Sequence, residues 1–351
     1  MRTANVDFAA LKIDALLVTG AENIRYLSGF KGSNGLLLLF PGGPVFFTDP
    51  RYDIQASQEV GCRIVVVRHG PIMLAAARMI AKKRLKRIGF ERAHLSYDAY
   101  LALDDDTGPA RLLGVGPLIE HQRMIKSEDE LAKIRQSVLT NSAAFARVSK
   151  TIRAGMTERE VAAEIDYQMR RRGAEKPAFD TIVASGERTA LPHAQPTSRK
   201  LADDELLLID MGCLQEGYAS DMTRMLYLGT PAAKTKRMYD AVLEAQLAAI
   251  NAVREGVTAE SVDRAARKVL ASYKLDKTFT HSTGHGLGLE IHEPPRVGKR
   301  DKTRLEAGMT ITIEPGTYEQ NFGGIRIEDT IVVTRNGCEI LTPTPKELIT
   351  L

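Results

Sequence analysis

The chain's 351 residues carry 48 Lys and Arg against 44 Asp and Glu, a formal charge of +4 too even to leave the footprint of a nucleic-acid binder. Hydrophobic residues at 44% and charged residues at 26% describe a folded globular chain and exclude intrinsic disorder; no apolar run approaches the ~20 residues of a membrane span. The three cysteines, Cys62, Cys213 and Cys338, are far apart, odd in number and not in CxxC spacing, which disfavours a disulfide framework and a zinc knuckle and reads as reduced thiols.

The N-terminal stretch MRTANVDFAALKIDALL has no continuous apolar segment and no small-residue cleavage site, so we expect no signal peptide and a cytoplasmic protein. From residue 13 to about 91 strand-like runs, IDALLVT, GLLLLFP, GPVFFTD, CRIVVV and RIGFE, alternate with turns, and the helix-like PIMLAAARMIAKKRLK separates the last two. That pattern predicts a small α/β domain with its own sheet. The turn-rich GFKGSNG, Gly29 to Gly35, reads as a loop between strands, of a kind that can also roof a neighbour's active site. The basic runs Lys82 to Arg87 and Arg170 to Arg172 read as solvated helix faces.

The pattern changes between residues 115 and 127, and we divide the chain into domains 1–122 and 123–351. A long helix starts after Ser127, a good N-cap, with Glu128, Asp129 and Glu130 placing negative charge on its first turn. The second domain echoes itself at an offset of 101: Arg153-Ala154-Gly155-Met156-Thr157 and Arg254-Glu255-Gly256-Val257-Thr258 each open a helix. Gly155 and Gly256 suit the ends of the preceding helices, Thr157 and Thr258 can cap the next, and Glu160 completes a capping box at the first. Each helix pair is followed by sheet-forming sequence, which predicts two related αβ halves about a pseudo-twofold axis.

The chemistry-bearing residues fall in the sheet-forming parts. LLLIDMGCLQEGYASDMTRMLYLG holds Asp210 and Asp221 in two β-rich runs. A Gln215-Glu216 loop sets the two carboxylates directly opposite each other, and a Glu216-Gly217 loop sets them diagonally, in both cases on one face. MTITIEPGTYEQNFGGIRIEDTIVV holds Glu314 and Glu328 in strands flanking a glycine-rich connection, with Arg326 on the face of Glu328 and Asp329 on the other. HSTGHGLGLEIHEPP puts three of the seven histidines, His281, His285 and His292, within twelve positions. The GHGLG loop lacks the spacing of a dinucleotide fingerprint and the Lys-Ser/Thr of a P-loop. Two like-charged pairs inside strands are costly without a cation or proton. Four carboxylates and one imidazole have the composition of a site for two divalent metals, with oxygen ligation favouring manganese or cobalt.

These motifs, IDMGCLQEGYASD, GHGLGLEIHEPP, ITIEPGTY and GGIRIED, resemble the proline-specific metallopeptidases of the pita-bread fold, the Xaa-Pro dipeptidases and aminopeptidases P. NIRYLSGFKGSNG in the first domain resembles the creatinase-like N-terminal domain of that branch. The resemblance implies an α+β fold, a pita-bread catalytic domain behind a small α/β domain. It implies that Asp210, Asp221, His285, Glu314 and Glu328 hold two divalent ions, manganese or cobalt with zinc or iron as alternatives, and that Asp221 and Glu328 bridge them. LPHAQPT matches the segment that supplies an active-site histidine, His193. His281 and His292 become substrate-facing groups that stabilise the oxyanion, Arg326 a supporting or substrate-anchoring group, and Arg296 in EPPRVG a grip on the proline carboxylate. Glu314 is the expected general base, and the bond cleaved the one before proline. Short proline-containing peptides and a second copy of the chain are the expected partners, with neither nucleic acid nor membrane among them. A methionine aminopeptidase-like enzyme lacks the first domain and LPHAQPT, and a non-catalytic binder of the same fold loses ligands that are all present here.

Overall fold

A computed structural model describes residue 2 and residues 4–351, and the chain divides after Arg123 into two compact units. In the first, β1 (Ala15–Val18) leads to α1 (Ala21–Ser28), β2 (Gly35–Leu39) and β3 (Val45–Thr48). Then come α2 (Asp53–Glu59), β4 (Arg63–Val66), α3 (Ile72–Lys82), β5 (Arg87–Glu91), α4 (Tyr97–Asp106), β6 (Arg111–Val115) and α5 (Leu118–Met124). The six strands form one mixed sheet in the order β4-β3-β2-β1-β5-β6. Its two faces are both covered, because β1 to β3 are continuous apolar runs with side chains buried on either side. The loop Gly29–Gly35 follows α1, so it joins a helix to a strand and not two strands as expected. AENIRYLS is that helix, closed by Gly29 at φ 85°, the left-handed conformation of a glycine C-cap.

The second unit begins with α6 (Glu128–Val148) and α7 (Glu158–Arg171), followed by β7 (Lys176–Pro177), β8 (Ile182–Ser185), β9 (Glu205–Met211), β10 (Cys213–Gln215), β11 (Tyr218–Ala219) and β12 (Met222–Leu228). Its second half repeats the plan with α8 (Ala233–Ala252), α9 (Ala259–Ser272), β13 (Gly284–Gly286), β14 (Glu293–Val297), β15 (Thr310–Ile313), β16 (Gly316–Glu319), β17 (Gly323–Arg326), β18 (Asp329–Thr334) and β19 (Gly337–Ile340). The short β20 (Ile349–Thr350) returns to the edge of β12. The two principal sheets are β20-β12-β9-β8 and β14-β13-β15-β18-β19. One core packs α6 and α7 on the first; the other packs α8 and α9 against both, with Leu208 and Met225 from the first sheet and Ile311, Ile313 and Ile331 from the second.

The internal echo is visible in backbone hydrogen bonds. Gly155 N–H donates to Leu201 O at 2.8 Å and Gly256 N–H to Leu305 O at 2.7 Å. Thr157 bridges Lys200 as Thr258 bridges Arg304. Both glycines sit at positive φ, 88° and 85°, in turns that lie beyond the preceding helices; α6 ends at Val148 and α8 at Ala252, so neither glycine is a helix C-cap. The Thr157 box forms, with its backbone N–H and hydroxyl donating to Glu160 Oε2 at 2.6 and 2.9 Å. Thr258 makes no capping hydrogen bond with its side chain. Three residues on stands Ser261 and not an acid, and its hydroxyl donates back to Thr258 O at 2.6 Å. The three cysteines are free, and no helix among the described residues is long and apolar enough to cross a membrane.

Candidate metal centre

Asp210 and Asp221 reach one face because of a two-residue turn. Glu216 and Gly217 both take positive φ, 49° and 78°, as a tight hairpin turn requires, and Gln215 pairs with Tyr218. The same register runs on into β9 and β12, where Asp210 pairs with Thr223 and Met211 with Met222. Asp221, two residues before Thr223, therefore lies diagonal to Asp210, the second of the two registers expected. Thr223, opposite Asp210, donates its hydroxyl to Glu328 Oε2 at 2.7 Å.

Glu314 and Glu328 face each other at a break in a hairpin. Ile313 pairs with Asp329 in one sheet and Gly316 with Arg326 in another, so the register that continues between them sets Glu314 opposite Glu328. Neither glutamate is inside a strand as expected: each occupies the step between two. Their backbone N–H groups leave the ladder, Glu314 to Thr283 O at 2.7 Å and Glu328 to Thr223 O at 3.2 Å, which ties the pair to β12 and to the approach of β13. Asp329 points away and is fully buried against Arg224, Gln246 and Lys346.

All ten residues singled out from the sequence line one cavity of about 860 Å³ in the second unit. Asp221, His285 and Glu328 offer ligand atoms that all lie within 4.8 Å of one another. His285 Nε2 is 3.4 Å from Glu314 Oε1 and 3.6 Å from Asp221 Oδ2. Its Nδ1 is 2.9 Å from Gly286 O, an acceptor, so Nδ1 carries the proton. Burial holds the ring below the usual imidazole range, hence neutral, and its Nε2 lone pair then faces two carboxylate oxygens. Lone pair against lone pair is repulsive unless a cation lies between them.

The carboxylates point the same way. Asp210 Oδ1, Asp221 Oδ1 and Glu328 Oε1 are buried and accept no hydrogen bond among the described residues. Such atoms are rare in a folded chain and call for a partner. Burial, with the charges of neighbouring carboxylates, holds Asp221 and Glu328 well above the usual carboxylate range and pushes Glu314 up to about 7. A positive charge in the cluster relieves all three, so the donor set fits divalent cations. Glu91, His94 and Glu120 of the first unit form a second acid-histidine group, but Glu91 there accepts from Thr19 N, Gly20 N and Asn23 Nδ2, and its oxygens are already supplied.

Arg326 holds the cluster from beneath. Its Nη2 donates to Asp210 Oδ2 at 2.6 Å, Nε to Thr223 Oγ1 at 3.0 Å, and Nη1 to Tyr318 Oη at 2.8 Å and Pro192 O at 3.2 Å. These contacts, on a side chain 3% exposed, engage Nε and both Nη atoms and leave little of the guanidinium for substrate. Tyr318 Oη also lies 2.8 Å from His281 Nε2. His281 Nδ1 donates to Ser282 O at 2.8 Å, and burial with the nearby Arg326 charge pushes the ring pKa down to about 4. A neutral His281 thus accepts from Tyr318 and has no N–H left for an oxyanion, contrary to the expected role; it holds Tyr318, which holds Arg326. His292 and His193 are exposed to the cavity, and His292 packs edge-on to His285 at 4.4 Å between ring centroids. Arg296 is likewise exposed, and its guanidinium makes no hydrogen bond or ion pair among the described residues.

The sequence reading passed over Tyr318, Thr223 and Thr312. Thr312 Oγ1 accepts from His285 N–H at 3.1 Å and donates to Glu314 Oε1 at 3.1 Å, linking two of the cluster's side chains. Two of the three carried a signal: Tyr318 is two residues from Gly316, the register partner of Arg326, and Thr223 is the register partner of Asp210.

Known proteins share this architecture. Residues 132–335 match Metallopeptidase family M24, and residues 3–125 match the Creatinase/Prolidase N-terminal domain. The chain is 39% identical over 337 residues to an Xaa-Pro dipeptidase of Pyrococcus horikoshii, covering 96% of this chain and 95% of that protein. It superposes with TM-score 0.95 and 38% identity on an Xaa-Pro dipeptidase from Bacillus anthracis, covering 98% and 97% of the two chains. With an X-Pro aminopeptidase from Thermotoga maritima the TM-score is 0.91 and the identity 35%, covering 97% and 98%. The two matches together span most of the chain, and with likeness over nearly its full length they leave one assignment: the chain belongs to metallopeptidase family M24 and carries a creatinase/prolidase N-terminal domain.

Proposed function

We propose that the chain hydrolyses the peptide bond preceding proline, in Xaa-Pro dipeptides or at the N-terminus of longer Xaa-Pro peptides, with residues 123–351 as the catalytic domain. The observation that carries this reading is the set of three buried carboxylate oxygens, without a hydrogen-bond partner among the described residues, around a neutral imidazole at the floor of a cavity of peptide size. Asp210, Asp221, His285, Glu314 and Glu328 would hold two divalent ions; their oxygen-rich set favours manganese or cobalt. When bound, such a pair polarises the scissile carbonyl and brings the pKa of a water close to neutrality.

The chain's own groups do the rest. Glu314, buried in the cluster and lining the cavity, is placed to take a proton and return it to the leaving nitrogen once a cation has relieved its upward shift. Arg326, Thr223 and Thr312 keep the carboxylates in place, and His292 and His193 offer cavity-facing ring nitrogens to the peptide. The leaving group is a tertiary amide nitrogen with no N–H and a ring-locked φ, so a proline site needs shape in place of that hydrogen bond. Phe179, Ile182, Ile291, Pro294 and Pro295 line the cavity with apolar surface suited to a pyrrolidine ring, and the exposed Arg296 guanidinium suits a free carboxylate beside it. A homodimer in a cytoplasmic setting completes the reading, in keeping with three free thiols.

The test compares Leu-Pro with Leu-Ala at equal metal loading. Alanine in the second position lowers kcat/KM by about 100-fold or more, since both the ring contacts and the preset φ are lost in the transition state. Equal cleavage of the two dipeptides would remove proline from the account.

A further inference from the structure

Between His285 and the start of β14 the chain makes a loop, Leu287 to His292, that carries an exposed histidine to the mouth of the carboxylate cluster. The residue after His292 is Glu293, and its side chain turns inward. Glu293 Oε1 accepts from Glu290 N–H at 3.1 Å, across the loop, and Oε2 accepts from Lys126 Nζ at 3.2 Å. Both side chains of this ion pair are 2% exposed. Gly288 makes room for it: a Cβ at that position would stand 2.8 Å from Glu293 Oε2.

Lys126 is firmly seated. Its N–H donates to Gly308 O at 3.0 Å, Ile125 before it bridges Met309, and Ser127 after it donates to Glu130 at the start of α6. A buried ion pair is weak evidence for stability, because desolvation of two charges offsets most of their attraction. Its directional content is larger: Lys126 fixes where the Glu293 carboxylate lies, and that carboxylate fixes the turn Glu290–Glu293 on which His292 is mounted.

We infer that Lys126 is a positioning residue, acting through Glu293 to hold His292 at the reacting groups. The inference rests on the reading of His292 as a peptide-facing group. It is tested in the metal-loaded full chain by kcat and KM on Leu-Pro for Lys126→Met, Lys126→Arg, His292→Ala and their combinations. The double variant Lys126→Met/Glu293→Gln is included because it removes both charges of the buried pair together and so guards against misfolding. Displacing a positioned group by about 1 Å costs on the order of 100-fold in rate, so Lys126→Met and the double variant lower kcat by about that factor, with KM and metal content little changed. Lys126→Arg restores most of the loss. In the His292→Ala background, neither variant lowers kcat by more than about twofold further, as expected of groups acting as one unit. A Lys126→Met/Glu293→Gln loss that persists at full factor on His292→Ala would overturn the inference alone. Wild-type turnover by His292→Ala itself would overturn the reading of His292 and the inference with it.

Discussion

Glu314→Gln turns over an Xaa-Pro dipeptide about 10³-fold more slowly than the unaltered chain, or worse, while its fold is retained. Removing a proton carrier alone costs about 10²–10⁴-fold, and here the same carboxylate also faces His285 Nε2 at 3.4 Å, where a cation would sit. The fold survives because Gln keeps the amide oxygen that accepts from Thr312 and removes one charge from a cluster of like charges. Circular dichroism and a melting curve beside single-turnover kinetics separate the two effects. Near-normal turnover would take Glu314 out of the chemistry, and an unfolded variant would show that the carboxylate is a structural requirement.

Stripping the chain with a chelator abolishes hydrolysis, and manganese or cobalt returns it. The same experiment has a stability readout whose sign follows from the buried carboxylates. Glu314 binds its proton more tightly in the folded chain, at about 7 against the ordinary 4.5, chiefly through burial. The stability this proton contributes is therefore fully present below about 4.5 and is lost as pH rises through about 7. Asp221 and Glu328 are shifted in the same direction. A divalent cation takes the place of those protons, so the gain in Tm on adding manganese grows from pH 5 to pH 8. Activity indifferent to prolonged chelation, or a Tm gain that shrinks over that range, would speak against a cation in the cluster.

The strand periodicity of two made much of the site legible before any coordinates. Asp210 and Asp221 are eleven residues apart around a hairpin, and either plausible turn leaves them on one face; only the positive φ of Glu216 and Gly217 selects the diagonal register. Glu314 and Glu328 follow from the same parity, but the break that frees their backbone from the ladder is hidden in the sequence, since it depends on Thr223 of β12 and on Thr283 just ahead of β13. Tyr318 shares the parity of Gly316, the partner of Arg326, yet a tyrosine on a strand reads first as packing. The Lys126 to Glu293 pair was out of reach: 167 residues separate its members, and no local pattern links them.

The fold divides along the same line. Apolar runs such as GLLLL and the capping box at Thr157 specify their elements locally. Gly155 and Gly256 misled, because a glycine ahead of a helix looks like the end of the previous one. What fixes each of them is a hydrogen bond to a distant residue, Leu201 or Leu305, repeated in both halves. His281 misled for a related reason. Its identity suggested a donor to the substrate, and its two hydrogen bonds, to Ser282 O and Tyr318 Oη, turn it into a support for Arg326.

The central claim is that Asp210, Asp221, His285, Glu314 and Glu328 enclose a pair of cations, and anomalous diffraction from crystals grown with excess manganese tests it most directly. The account predicts two peaks per chain about 3.5–4 Å apart, both in contact with Asp221 and Glu328. A cavity with no peak, or peaks that none of these five side chains touches, would contradict it.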